Sequence, residues 1–355
     1  MSFHEFVHQA LPGRVVFGAG RRASVPEEVD RLGLERVFVL STRGHADIAE
    51  EIAQKLGRRV AAFHPQAVMH VPAAVAADAT RRAREVNADG LLAIGGGSAI
   101  GLGKAVAKET ALPSVAVPTT YAGSEMTPIW GLTDEGHKRT GRDPAVLPRT
   151  VVYDPELTLT LPGELSAASG LNALAHAAEA LYAPDVSPLL MQTASEAARA
   201  LTSALPRVVD DPEDIGARAD ALTGAWLAGV CLGTTAMSLH HKLCHILGGT
   251  FNLPHAQTHA NLLAYVLAFN LPAAPEAKAA LSRVLGTPDP VGYIHELVAR
   301  LGIAQPLRAL GLPPDAAEQV SQLATGSPYA NPRPASGSDI RQIIRAAYEG
   351  VPPGL

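Results

Sequence analysis

From about Glu35 to Val117 short apolar runs alternate with amphipathic ones: ERVFVLS, ADIAEEIAQKLG, RVAAFH, PAAVAADATRRAREV, DGLLAIGGGS, AIGLGKAVAKE and PSVAVPTT. The apolar runs predict buried strands and the amphipathic ones helices, so the pattern reads as successive βα units. Such units build a parallel sheet with helices on both faces, a Rossmann-like α/β domain that takes ligands at the carboxyl ends of its strands. After VVYDPELTLTLP the pattern changes to long Ala/Leu-rich segments running from near Glu164 to Tyr348, which predict an all-helical half. Pro162-Gly163 marks the boundary, giving an expected α/β domain over 1–161 and a helical domain over 162–355. Thr325 to Ser338, dense in Pro, Gly and Ser, reads as a loop before a last short helix.

A length of 355 residues also favours two domains over one. Hydrophobic residues make up 47%, charged residues 18%, and the net charge is −5, so no basic field exists to attract nucleic acid or anionic lipid. Small-molecule chemistry is the better expectation. The two cysteines, Cys231 and Cys244, lie in an apolar helix-like stretch and read as buried thiols rather than a disulfide framework. Met1 to Ala10 carries His4, Glu5 and His8, with neither a cationic nor an apolar leader region. No uninterrupted apolar run is long enough to span a bilayer, and a cytoplasmic location is expected.

In LLAIGGGSAIGLGKAVA three glycines and a serine stand between a strand and a helix. Gly95, Gly96, Gly97 and Ser98 suit close backbone approach to a pyrophosphate at a positive helix end; a tight strand-to-helix turn is the plainer alternative. Gly103-Lys104 fails as a phosphate loop, since Ser98 and Ala105 stand where glycine and a hydroxyl residue are needed. Gly18-Ala19-Gly20 with Ala23 fits a dinucleotide fingerprint, yet the end of the next strand reads Ser41-Thr42-Arg43, with no acid for a ribose hydroxyl. Thr42 does not repel a 2′-phosphate and Arg43 can pair with one, so NADPH is expected to serve alongside NADH; a solvated surface arginine is the alternative. PTTYAGSEMTP, from Pro118 to Pro128, clusters hydroxyls after another strand.

Six of the thirteen histidines fall in two helical regions: His176 in SGLNALAHAAEALY, and His240, His241, His245, His255 and His259 in SLHHKLCHILGGTFNLPHAQTHA. His241 with His245, and Asn172 with His176, are spaced i, i+4 and share helix faces. Imidazoles so arranged suit metal binding or proton transfer. A single histidine on an apolar helix is usually a core residue; five within twenty positions point to a site.

GGGS, PTTYAGSE, GLNALAHAAEALY and HHKLCHILGGTFNLPHAQTHA, in that order, resemble the cofactor and active-site motifs of the iron-containing alcohol dehydrogenase superfamily. The HHKLCH run, NLPHAQTHA and NPRP, Asn331 to Pro334, resemble most its maleylacetate reductase branch. The resemblance implies a nucleotide-binding α/β domain, a helical catalytic domain and a homodimer. It also implies reduction of the carbon–carbon double bond of maleylacetate, or its chlorinated analogues, by NADH or NADPH in the breakdown of aromatic compounds. Gly95 to Ser98 would hold the pyrophosphate, Thr119, Thr120 and Ser124 would line the cofactor groove, and Lys138 matches a cofactor-contacting lysine.

Metal-dependent relatives place an Asp and three histidines around the ion where this chain has Asn172, His176, His241 and His255. A neutral amide is a poorer partner for a hard divalent cation, so no metal is expected to be required, although three histidines can hold zinc. His245 and His255 are the first candidates for stabilising an enolate oxygen and delivering a proton, with His176 and His241 completing the polar wall. Asn172 and Arg333 are candidate contacts to a small dicarboxylate, and Lys242 a weaker one. The competing readings are a metal-dependent alcohol dehydrogenase, a dehydroquinate-synthase-like lyase, and a non-catalytic nucleotide-binding protein.

Overall fold

The computed structural model describes residues 6–11, 13–134 and 137–354, without the side chains of His137 and Lys138. The chain divides into two compact units, one spanning Ala10–Leu161 and the other built on Pro162–Leu355.

The first unit carries strands β1 (Arg14–Phe17), β2 (Val37–Ser41), β3 (Val60–His64), β4 (Gly90–Gly95), β5 (Ser114–Pro118), β6 (Ile129–Asp134), β7 (His137–Arg142) and β8 (Thr150–Tyr153). Its helices are α1 (Val25–Arg31), α2 (Ala46–Gln54), α3 (Ala73–Glu85) and α4 (Gly97–Thr110). Six strands form a parallel sheet in the order β1-β8-β5-β4-β2-β3, and β6 and β7 form a separate antiparallel hairpin. The central strands read as unbroken apolar runs because both faces are covered. Successive side chains alternate between faces: Val37, Val39, Leu92 and Ile94 pack with Val29 and Ile52 on one side. Phe38, Leu40 and Leu91 pack with Ala79 and Leu102 on the other. Phe38 is fully buried, and truncating such a side chain to alanine costs about 3–5 kcal/mol.

From β2 the chain moves outward to β3, then returns to place β4 on the other side of β2 and continues to β5. The direction of winding therefore reverses between β2 and β4. A crevice opens at such a switch point, outside the carboxyl ends of the strands. Register pairs Ser41 with Ile94 and Gly95 with Pro118, which sets Thr42, Gly95 and Thr119 along that one edge.

The second unit is helical: α5 (Gly163–Ala180), α6 (Pro188–Asp210), α7 (Ile215–Thr234), α8 (Leu239–Phe251), α9 (His255–Asn270), α10 (Pro275–Leu285), α11 (Pro290–Arg300), α12 (Ala316–Thr325) and α13 (Gly337–Glu349). Helix α5 is buried on nearly all sides and packs against α6, α7 and α9. Its sequence, GELSAASGLNALAHAAEA, is dominated by small residues, which let neighbours approach closely. A Cβ at Gly170 would lie 2.4 Å from Leu205. Polar side chains in the middle of α5 are consequently taken out of water, and that is the setting of Asn172 and His176. Among the described residues no single helix is long and apolar enough to cross a membrane.

Candidate active site: a dinucleotide crevice and a buried histidine cluster

In the α/β unit, Gly95 (φ 137°) turns the chain out of β4 and Gly96 caps α4 without any side-chain cap. A Cβ on Gly96 would meet Thr120 at 2.8 Å, while around Gly97 nothing lies within 4 Å. Backbone N–H groups at the start of a 14-residue helix, with open space above Gly97, suit an anion. Ser98 is half-buried on the first turn, Thr119 is buried, and Thr120 and Ser124 are half-buried on the loop that follows β5. The Ser124 carbonyl accepts from Lys104, whose ammonium also donates to Thr127 O and Ile129 O, each at 2.8 Å. Lys104 thus anchors the hydroxyl-rich loop from within the core. Burial pulls its pKa down to about 7.

The other glycine motif is closed to ligands. Gly20 N–H and Arg22 N–H donate at 3.0 Å to the two oxygens of buried Asp154. Thr42 directly follows β2, next to the glycine turn, and its hydroxyl lies 2.9 Å from His45 Nδ1. His45 Nε2 in turn lies 3.1 Å from Thr119 Oγ1. Sequence reasoning passed over His45, since a single histidine in a loop carries no spacing signal. Arg43 is exposed. Lys138 falls on β7, paired with Thr133, but its side chain is outside the described residues.

In the helical unit, α5, α8 and α9 bring the histidines together. Ring centroids are 4.9 Å apart for His176 and His241, 4.9 Å for His241 and His259, 4.4 Å for His255 and His259, and 6.5 Å for His245 and His255. Exposure falls steadily across the set: His245 is exposed, His255 half-buried, His241 and His176 buried, and His240 and His259 fully so. Burial, reinforced by the neighbouring imidazoles, holds His176 and His259 well below the ordinary histidine pKa, and burial takes His240 to about 3. These rings are neutral at physiological pH.

Glu179, one turn beyond His176 on α5, was missed by the sequence reading. It is fully buried and accepts from Ser238 N–H at 3.0 Å, His240 N–H at 2.8 Å and His241 Nδ1 at 2.5 Å. One carboxylate therefore both caps α8 and fixes the tautomer of His241. With Nδ1–H given to Glu179, His241 Nε2 is left bare, and it is buried without a partner. Asn172 Oδ1 and His176 Nδ1 are likewise buried and unpartnered.

The NPRP loop is tied to this unit by a reciprocal amide pair. Asn270 Nδ2 donates to Asn331 Oδ1 at 2.9 Å, and Asn331 Nδ2 to Asn270 Oδ1 at 2.8 Å. Arg333 stacks 3.6 Å from the centroid of Phe269, with its Nε buried and unpartnered. Lys242 is committed elsewhere, donating to Ser327 and lying 5.9 Å from the Tyr329 ring centroid.

Comparison with known proteins bears on both units. The iron-containing alcohol dehydrogenase model matches residues 12–155, and the model for the C-terminal part of the Fe-containing alcohol dehydrogenase family matches residues 166–348. The chain belongs to the iron-containing alcohol dehydrogenase family. It is 51% identical to the maleylacetate reductase of Sphingobium indicum, over 98% of this chain and 99% of that protein. The crystal structure of maleylacetate reductase from Agrobacterium tumefaciens superposes with a TM-score of 0.95 at 48% identity, covering 99% of this chain and 100% of that one. That from Rhizobium sp. strain MTP-10005 does so with 0.95 at 47% identity and the same coverage. The expected fold, a parallel α/β domain followed by a helical one, is that of the family.

The family's metal raises a correction. The expectation that no metal is required rested on Asn172, but a different group converges: ligand atoms of His240, Cys244 and His259 all lie within 4.8 Å of one another, and all three residues are buried. His240 Nε2 is 3.0 Å from His259 Nδ1 and 3.6 Å from Cys244 Sγ. Tetrahedral zinc with bonds of about 2.0 Å to nitrogen and about 2.3 Å to sulfur sets its ligands roughly 3.3–3.6 Å apart. The set is able to hold an ion. Losing a carboxylate at Asn172 does not remove these softer donors, which is why reasoning from that position alone failed. Burial pushes the Cys244 thiol well up, with Glu179 adding to it, so binding must expel its proton.

Proposed function

We propose that this chain is an NAD(P)H-dependent reductase that converts maleylacetate to 3-oxoadipate, with residues 1–161 binding the dinucleotide and 162–355 acting on the dicarboxylate. The observation that carries this is the 51% identity to a maleylacetate reductase over 98% of the chain. The site supports it with three buried atoms without partners, Asn172 Oδ1, His176 Nδ1 and His241 Nε2, which invite a polar ligand.

Bound NAD(P)H supplies a hydride to the alkene carbon β to the ketone; the electron pair moves onto the ketone oxygen, and the neighbouring carbon takes a proton. The products are 3-oxoadipate and NAD(P)+. Donors that meet the developing enolate contribute the main electrostatic term. His241 is the best backed of the histidines for holding the proton, because Glu179 at 2.5 Å balances an imidazolium. His255 and His245, progressively closer to solvent, form a route by which that proton is replaced from water. Arg333, stacked on Phe269 with an unpartnered Nε, anchors a substrate carboxylate. A metal ion, if carried, would be held by His240, Cys244 and His259 and would supply fixed positive charge. The family resemblance extends the proposal to a cytoplasmic homodimer, the second part testable by light scattering.

The donor set of His240, Cys244 and His259 favours a second reading, a metal-dependent alcohol dehydrogenase. Loss of NADH and NADPH absorbance with maleylacetate separates the two. Turnover with maleylacetate is expected. Turnover only with simple aldehydes or alcohols, restored by added metal, would establish the second reading instead.

A further inference from the structure

The dinucleotide reading of the crevice leaves one group unexplained. His45 stands at the carboxyl edge of the sheet, with Nδ1 on the Thr42 hydroxyl and Nε2 on the Thr119 hydroxyl. Its ring also borders Gly95, where a Cβ would lie 3.9 Å from Nδ1. It therefore links the ends of β2 and β5 across β4, beside the glycine turn.

In dinucleotide folds the strand next to the glycine-rich turn ends in an acid that accepts a hydrogen bond from the adenosine ribose. Here β2 is that strand and Thr42 directly follows its last residue, Ser41. A threonine hydroxyl both donates and accepts, and which it offers a ligand depends on what His45 does with it. Burial lowers the His45 pKa, so the ring is neutral and carries one N–H.

Two arrangements follow. If Nε2 carries the proton and donates to Thr119, Nδ1 is bare and takes the Thr42 hydroxyl proton. Thr42 then faces a ligand as an acceptor, imitating the missing acid and suiting a ribose 2′-hydroxyl. If Nδ1 carries the proton and donates to Thr42, the Thr119 hydroxyl donates to Nε2 and the Thr42 hydroxyl proton turns outward. Thr42 is then a donor and suits a 2′-phosphate, which only accepts.

We infer that His45 is a positioning residue whose tautomer sets Thr42 as acceptor or donor, allowing one site to take both NADH and NADPH. The inference rests on the dinucleotide reading given above. The exposed Arg43 adds charge for a phosphate but does not distinguish the two hydroxyl orientations.

The test combines calorimetric titration of the full chain with NADH and with NADPH, and ring-nitrogen NMR of 15N-histidine-labelled protein, the His45 signals being assigned by their loss in His45→Phe. The His45 proton is expected on Nε2 in the NADH complex and on Nδ1 in the NADPH complex. Thr42→Val, which keeps the shape and removes the hydroxyl, is expected to weaken NADPH binding about tenfold or more and NADH binding less. His45→Phe is expected to weaken both by about tenfold, the order of a hydrogen bond's contribution. The same tautomer in both complexes, or unchanged affinities in Thr42→Val, overturns the inference alone. Failure of the unaltered protein to bind either dinucleotide overturns the underlying reading as well.

Discussion

Replacing Glu179 by glutamine tests the joint of the histidine site. Glu179 Oε2 accepts from both Ser238 N–H and His241 Nδ1, and Oε1 from His240 N–H. Glutamine has a single acceptor oxygen, so one side must present an amide NH2 to a donor. Hydrogen bonds to a charged acceptor contribute about 1.5–3 kcal/mol each; losing one and weakening the others should cost about 2–4 kcal/mol. At roughly 2–4 °C per kcal/mol for a unit of this size, Tm should fall by about 5–15 °C. The catalytic effect should exceed the structural one. Without the carboxylate an imidazolium at His241 is unbalanced, and kcat should drop about a hundredfold, the lower end for acid–base catalysis, while KM changes little. Asp214→Ala serves as the control. It removes a cap on the Ala217 N–H of α7 in the same unit, and should lower Tm slightly without touching kcat. Thermal melts and steady-state rates on both variants decide the matter: a Glu179→Gln protein that melts early yet keeps kcat within about threefold would reduce Glu179 to a helix cap.

Further outcomes follow from the same geometry. Gly97→Val should leave stability within about 1 kcal/mol, because nothing lies within 4 Å of the new Cβ, but calorimetry should show dinucleotide binding weakened more than tenfold. Arg333→Met keeps the apolar stem beside Phe269 and removes the guanidinium; it should raise KM for a dicarboxylate by about one to two orders of magnitude, and Arg333→Lys should recover little because the stacked planar fork is lost. Glu28, buried beside Arg14 and Arg31, is held below its ordinary pKa by those guanidinium groups, which outweigh burial acting in the opposite direction. Its contribution to stability is complete above the unfolded-state value and disappears as pH falls through the folded one. In acid titrations followed by circular dichroism, Glu28→Gln should therefore be less stable than the parent near neutrality, with the difference shrinking in acid.

The sheet was legible in the sequence because its central strands obey a local rule. VFVLS, GLLAIG and SVAVP are short apolar runs bounded by turn residues, and covering both faces of a parallel sheet demands such runs. The β6–β7 hairpin was not: HKRTGR has no apolar alternation, and only its pairing with IWGLTD makes it a strand. Histidine spacing pointed to the cluster but not to its organisation. His245 and His255, favoured on motif grounds, lie toward solvent, whereas the carboxylate that orders His241 comes from 62 residues earlier in the chain. Spacing cannot show that contact, although an isolated glutamate in the alanine-rich helix α5 was a signal available to be read. The glycine decoy after β1 was rejected for lack of a partner acid, and the structure adds a second reason in Asp154, which occupies its N–H groups.

These observations bear on why the helical unit tolerates so many imidazoles out of water. A buried polar atom without a partner costs about 1–3 kcal/mol, and Asn172 Oδ1, His176 Nδ1 and His241 Nε2 are three such atoms in one neighbourhood. A core chosen for stability alone would place apolar groups there, as α5 does at Ala173, Leu174 and Ala175. A ligand that makes the missing hydrogen bonds would offset that cost. Glu179 keeps those atoms usable: by accepting from His241 Nδ1–H it leaves Nε2 as the ring nitrogen that can carry or release the proton, and by capping α8 it fixes the helix that carries His240, His241 and Cys244. On the proposed mechanism, rigidity and reactivity at this site depend on the same carboxylate.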